Sequence, residues 1–143
     1  MKRFLLLALT AIFLAACQGQ PAQVTGETVN VAGGSYRNVT PDELNAMLKN
    51  KDFVFVNVHI PFAGNIAGTD LSIAYDQVAD PANLAQLPAD KNARIVLYCR
   101  SGRMSQIAAE ELVKLGYTNL WNLAAAWWIG KGRGTNSKNK EKL

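Results

Sequence analysis

Cys99 opens the run Cys99-Arg100-Ser101-Gly102-Arg103-Met104, and that run has the makings of a nucleophilic site. It follows Arg94 to Tyr98, which reads as a buried strand. It precedes Gly102 to Leu115, which reads as an amphipathic helix. A thiol at such a junction lies beneath a fan of backbone N–H groups, beside the positive end of the helix dipole. Gly102 has no Cβ and lets the loop curl tightly. Arg100 and Arg103 add whole positive charges. Each effect favours thiolate over thiol, so the Cys99 pKa is expected below the free-cysteine value of about 8.5. The same concave loop can hold an anion. The bland alternative is an inert cysteine closing a strand, but two arginines, a serine and a glycine are poor core material.

Spacing separates two chemistries. Cysteine phosphatases and one class of arsenate reductase place an arginine six positions after the cysteine. That position is Ser105 here, so the phosphate clamp is missing. A soft sulfur electrophile needs less room than a phosphate tetrahedron and suits this shorter loop. One histidine, His59, and one further cysteine, Cys17, cannot make a zinc set. Neither a glycine-rich phosphate loop nor a dinucleotide fingerprint is present. No cofactor or metal is expected.

The elements that would position Cys99 alternate. Thr40-Pro41-Asp42-Glu43 predicts a helix start with a capping box, and Leu44, Met47 and Leu48 give its apolar face. Phe53 to Val58 reads as a buried strand. Leu71 to Tyr75 reads as a short strand, and Pro81 to Leu87 as a short helix ended near Pro88. In the helix after Cys99, Met104, Ile107, Ala108, Leu112 and Leu115 are assigned to one face, Glu110 and Lys114 to an i,i+4 pair, and Gly116 to the stop. Asn119 to Leu123 reads as a further strand and Ala124 to Ile129 as helical. This order predicts an α/β fold with a largely parallel central sheet flanked by helices. Ligand sites in such sheets lie beyond the carboxyl ends of the strands, where Cys99 falls.

Tyr98 to Ser105, followed by a helix ending at Gly116-Tyr117, resembles the active-site segment of single-domain rhodaneses. The resemblance runs from about Val39 to Leu123, and the cysteine loop is its specific part. It implies the rhodanese-like fold, a parallel sheet with helices on both faces, and transfer of sulfane sulfur. Cys99 would accept sulfur as a persulfide, steadied by backbone N–H groups from Arg100 to Met104. Arg100 and Arg103 would attract thiosulfate and stabilise departing sulfite. Ser101 would donate a hydrogen bond, with Gly102 and Met104 completing the substrate loop. A thiol or cyanide would take the outer sulfur.

Three positions depart from the family pattern. Asn57-Val58-His59 stands where many relatives carry Asp-Val-Arg. Met104 stands where an arginine is common. Ala124-Ala125-Ala126 replaces a frequent Asp-Gly-Gly before Trp127 and Trp128. His59 is read first as a loop-facing polar residue rather than a general base. The departures keep a second reading open, a non-catalytic binding module on the same scaffold. A thiol redox or phosphatase-like role is third.

The two ends of the chain read differently. Lys2 and Arg3 followed by Phe4 to Phe13 resemble an export signal. Leu14-Ala15-Ala16-Cys17 resembles the lipobox of bacterial lipoproteins. That resemblance implies a signal peptide over 1–16 and diacylglycerol on Cys17. The thirteen residues from Phe4 to Ala16 are short for a transmembrane helix. Residues 17–38, rich in Gly, Gln, Thr and Ser, read as a tether, 39–130 as the rhodanese-like domain, and 131–143 as a basic disordered tail. The net charge of +4 comes from the ends, since residues 17 to 130 hold eight basic and ten acidic side chains. A nucleic-acid partner is therefore not expected. The expected partners are a small sulfur compound, a thiol acceptor and, through Cys17, a membrane. Export places the domain outside the cytoplasm. If the organism has an outer membrane, Gln18 favours its periplasmic side over inner-membrane retention.

Overall fold

The computed structural model describes residues 24–124. The signal over 1–16, Cys17, the helix expected after Ala124, Trp127, Trp128 and the tail over 131–143 lie outside the described residues.

Among the described residues six strands form one sheet in the order β1-β2-β6-β5-β3-β4. β1 (Glu27–Val31) and β2 (Gly34–Val39) make an antiparallel hairpin. All other neighbours are parallel: β2 with β6 (Leu120–Leu123), β6 with β5 (Ile95–Tyr98), β5 with β3 (Val54–Asn57), and β3 with β4 (Leu71–Ser72). β5 and β6 are buried along their whole length, as parallel strands covered on both faces must be.

Period-2 alternation divides the sheet between two cores. Val56, Val58, Ile95, Leu97 and Cys99 face the helix α3 (Arg103–Lys114), which contributes Ala108, Ala109, Leu112 and Val113. Phe55, Val96, Tyr98, Trp121 and Leu123 face α1 (Pro41–Lys49), which contributes Leu44 and Met47. The fold is therefore the expected α/β arrangement, with helices on both faces of a mostly parallel sheet. α1 begins with the capping box read from the sequence. Thr40 Oγ1 accepts from the Glu43 N–H at 3.2 Å, and the Glu43 carboxylate accepts from the Thr40 N–H at 2.9 Å.

The tether reading is corrected over its described part. Residues 27–39 are the β1–β2 hairpin, turned through Ala32 and Gly33, whose φ of +92° suits glycine. It is anchored to the domain. Arg37 stacks over the Trp121 ring at 5.1 Å, and the Gly26 N–H reaches a Glu43 carboxylate oxygen at 3.3 Å.

Three further expectations are revised. β4 is shorter than read and leads into a 3-10 turn (Tyr75–Gln77), and α2 (Pro81–Leu84) stops before Leu87. In α3 the buried face is Ser105, Ala108, Ala109, Leu112 and Val113, while Ile107 and Leu115 are exposed. Small side chains face the sheet because the helix lies close against it. Lys114 pairs with Glu111 at 2.7 Å, not with Glu110, which accepts from Gln106 instead.

Candidate active site

The carboxyl ends of β3 and β5 lie side by side. Asn57 pairs in register with Tyr98, and the Val58 N–H donates to the Tyr98 carbonyl at 2.9 Å. Cys99 is the first residue beyond β5, one strand away from Val58. Its side chain is 1% exposed and belongs to the α3-side core.

The loop Cys99-Arg100-Ser101-Gly102 turns back on its own sulfur. The Gly102 N–H donates to Cys99 Sγ at 3.1 Å. Gly102 has φ +88°, and a Cβ there would stand 2.9 Å from the Ala124 carbonyl oxygen. Only glycine satisfies both the left-handed backbone and that close approach. The loop is thus pressed between the sulfur and the end of β6, and α3 starts at its next residue.

A second donor comes from one turn into the helix. Ser105 Oγ lies 3.6 Å from Cys99 Sγ and 3.1 Å from the Gly102 carbonyl oxygen, and Ser105 is fully buried. Burial alone pushes the Cys99 thiol pKa up. The Ser105 hydroxyl, with the Ser105, Ser101 and Met104 amides, outweighs it and holds the thiol below its ordinary value. The anion therefore forms more readily than on a free cysteine, although the sulfur is removed from bulk water.

Arg100, Ser101 and Arg103 are exposed around this sulfur, Gly102 is buried and Met104 half-buried. The loop thus gathers the expected residues as two charged side chains outside and amides inside. Among the described residues the hydroxyl that reaches the sulfur is Ser105's, not Ser101's. Sequence reasoning passed over Ser105 except as the place where an arginine is missing. The available signal was a small polar residue one turn into an otherwise apolar helix face.

His59 sits at the same end of the sheet, half-buried. Its backbone N–H donates to Asn57 Oδ1 at 3.0 Å, and its Nδ1 is buried without a partner. Asn57 closes the loop that follows. Its amide nitrogen donates to the Gly64 carbonyl at 3.0 Å and to Asn65 Oδ1 at 2.9 Å. Tyr98 holds the next stretch of that loop. Its hydroxyl accepts from the Ile66 N–H at 2.9 Å and bonds Thr69 Oγ1 at 2.8 Å. The loop after β3 is therefore tied to the residue before the cysteine, on the face of the sheet opposite the sulfur. Phe62, in the same loop, is 64% exposed.

Two surface depressions lie at the other end of the strands. One of about 130 Å³ is lined by Ser35, Arg37, Asn119 and Trp121, and one of about 370 Å³ by Met47, Lys49, Asp52 and Arg94. Neither includes the cysteine loop. Among the described residues no group of three or more His, Cys, Asp or Glu side chains could hold a metal ion.

Comparison with known proteins agrees with this geometry. The rhodanese-like domain family matches residues 40–127. A provisionally named mitochondrial thiosulfate sulfurtransferase of Schizosaccharomyces pombe is 52% identical over 39 residues, which span 26% of this chain and 28% of that protein. A human single-domain sulfurtransferase has a similar structure, with TM-score 0.55 and 25% identity, covering 66% of this chain and 96% of that one. A rhodanese-related protein of Thermoplasma volcanium superposes with TM-score 0.55 at 24% identity, covering 68% of this chain and 94% of that one.

Proposed function

We propose that this chain, which belongs to the rhodanese-like domain family, is a sulfurtransferase that carries sulfane sulfur on Cys99. One observation carries the reading: the buried Cys99 sulfur accepts the Gly102 N–H at 3.1 Å at the carboxyl end of a central parallel strand. A thiolate held this way is a nucleophile beneath a preorganised set of donors. Cys99 Sγ attacks the outer sulfur of thiosulfate. The sulfur–sulfur bond of thiosulfate breaks, and sulfite leaves with the electron pair, attracted by Arg100 and Arg103. The Cys99 persulfide then gives its outer sulfur to cyanide or a thiolate, and Cys99 leaves as thiolate. Charge is conserved in both steps and no oxidant is needed.

The test is to incubate the purified full chain with thiosulfate and then cyanide, following thiocyanate and the intact mass, beside Cys99→Ser. Thiocyanate and one added sulfur atom, both lost in the variant, are the expected result. A folded protein that gives neither overturns the reading.

The 1% exposure of Cys99 favours a second reading, a non-catalytic module that recognises a partner. Partner capture unchanged in Cys99→Ser would support it.

The sequence of the amino-terminal segment supports a lipid-anchored location: Lys2 and Arg3, the apolar run to Phe13, and small residues directly before Cys17. On this reading 1–16 is removed, Cys17 is lipidated, and the domain works outside the cytoplasm at a membrane surface. Several acyl chains would hold it there, at roughly 0.8 kcal/mol per buried methylene.

A further inference from the structure

Ser105 has one hydroxyl proton and two acceptors within reach. The Gly102 carbonyl oxygen is 3.1 Å from Ser105 Oγ, and Cys99 Sγ is 3.6 Å away. The hydroxyl is fully buried, so bulk water does not compete for it. A hydroxyl rotor donates to one acceptor at a time. The Gly102 carbonyl also accepts the Gln106 N–H at 3.0 Å, the first bond of α3. It therefore keeps a partner when the Ser105 proton turns away, and the helix start stays intact. The sulfur is different. As a thiol it is a weak acceptor, and as an anion it is a strong one.

We propose that Ser105 is a positioning residue whose hydroxyl turns between the Gly102 carbonyl, when Cys99 is a thiol, and the Cys99 sulfur, when it is ionised. No covalent bond forms or breaks, because the proton stays on Ser105 Oγ and only its direction changes. The device gives a charge-dependent donor inside a dry site, adding to the fixed Gly102 N–H. Its benefit falls on the free thiolate, from which the first sulfur transfer starts and to which the second returns. The inference takes Cys99 as the nucleophile of the proposed function, but its test does not require sulfur transfer.

The experiment measures the pH dependence of Cys99 alkylation by iodoacetamide in the full chain, Ser105→Ala and Ser105→Thr. Cys17→Ser is introduced throughout so that one thiol is read, and thermal melts confirm folding. Ser105→Ala is expected to raise the midpoint of the reactive thiolate by roughly half to one pH unit, the scale of one lost hydrogen bond. Ser105→Thr, which keeps a hydroxyl, should restore part of the shift. A folded Ser105→Ala protein with an unchanged midpoint overturns the proposal, whether or not the threonine variant folds. A raised midpoint in a protein that makes no thiocyanate would uphold the Ser105 role while removing the sulfurtransferase reading.

Discussion

Tyr98 and Cys99 are adjacent in the chain and serve opposite faces of the sheet. The Tyr98 ring packs on Phe55 with centroids 4.6 Å apart, on the side of α1, while Cys99 points into the core beneath α3. The strand end that presents the sulfur is therefore gripped from both sides. From one side the loop after β3 bonds the Tyr98 hydroxyl. From the other, Gly102 and Ser105 bond the sulfur.

Tyr98→Phe tests the first grip. It leaves the Ile66 N–H without its acceptor in a partly buried place, which costs about 1–3 kcal/mol. Urea denaturation should show that loss, and amide exchange at Ile66 should quicken more than at Leu112 in α3. Equal exchange at Ile66 in both proteins would show that the hydroxyl does not hold the loop.

Gly102→Ala tests the second. The new Cβ would meet the Ala124 carbonyl oxygen at 2.9 Å and would hold alanine at φ +88°. The expected cost is about 1–3 kcal/mol for the backbone alone, read by denaturation. Cys99 alkylation should also slow in whatever fraction remains folded, because the Gly102 N–H no longer aims at the sulfur.

The pH dependence has a definite sign. Cys99 titrates below its ordinary value because the Ser105 hydroxyl and nearby amides outweigh the upward push of burial. Sulfur uptake from thiosulfate should rise with pH, with a midpoint below that of an unstructured cysteine peptide. The same depression links to stability. The ionised thiol contributes fully above the unfolded-state pKa, and the contribution fades as pH falls through the folded value. Stopped-flow uptake across the titration, marked by added mass and run beside the peptide, should show the lower midpoint. A midpoint equal to or above that of the peptide would contradict it.

Cys17→Ser tests the location separately from the chemistry. In a bacterial host the parent chain is expected in the membrane fraction with acyl mass on Cys17, and the variant in the soluble or secreted fraction. Thiosulfate-dependent persulfide formation on Cys99 should be unchanged by that substitution.

Much of this arrangement was readable in the residues. The apolar runs of β3 and β5, the Thr40–Glu43 capping box and the Cys99 loop each carry a local pattern that packing does not override. The hairpin was missed because its strands show water one face. Glu27, Thr28, Asn30, Ser35, Arg37 and Asn38 make it look like a solvated tether, and its few buried positions, Tyr36 and Val39 among them, are thin evidence alone. The face of α3 was misjudged for a different reason. Counting apolar residues placed Ala108 and Leu112 correctly but also selected Ile107 and Leu115, where the sheet side holds Ser105 and Ala109 instead. That error also hid Ser105, whose hydroxyl gains meaning only when the loop folds back to bring the sulfur near it.

The hairpin has a consequence for the order in which the fold can be completed. β2 pairs in parallel with β6, placing Val39 beside Leu123, and the Ala124 N–H donates to the Val39 carbonyl at 3.1 Å. During synthesis the hairpin emerges early, and its sheet partner emerges only after every other strand. Closing so long a loop is entropically slow. Until it closes, β2 is an unpaired edge open to another nascent chain. A fragment confined to 40–127, the span the family match covers, would leave β6 with the same open edge permanently. Self-association is the failure such a fragment should show first.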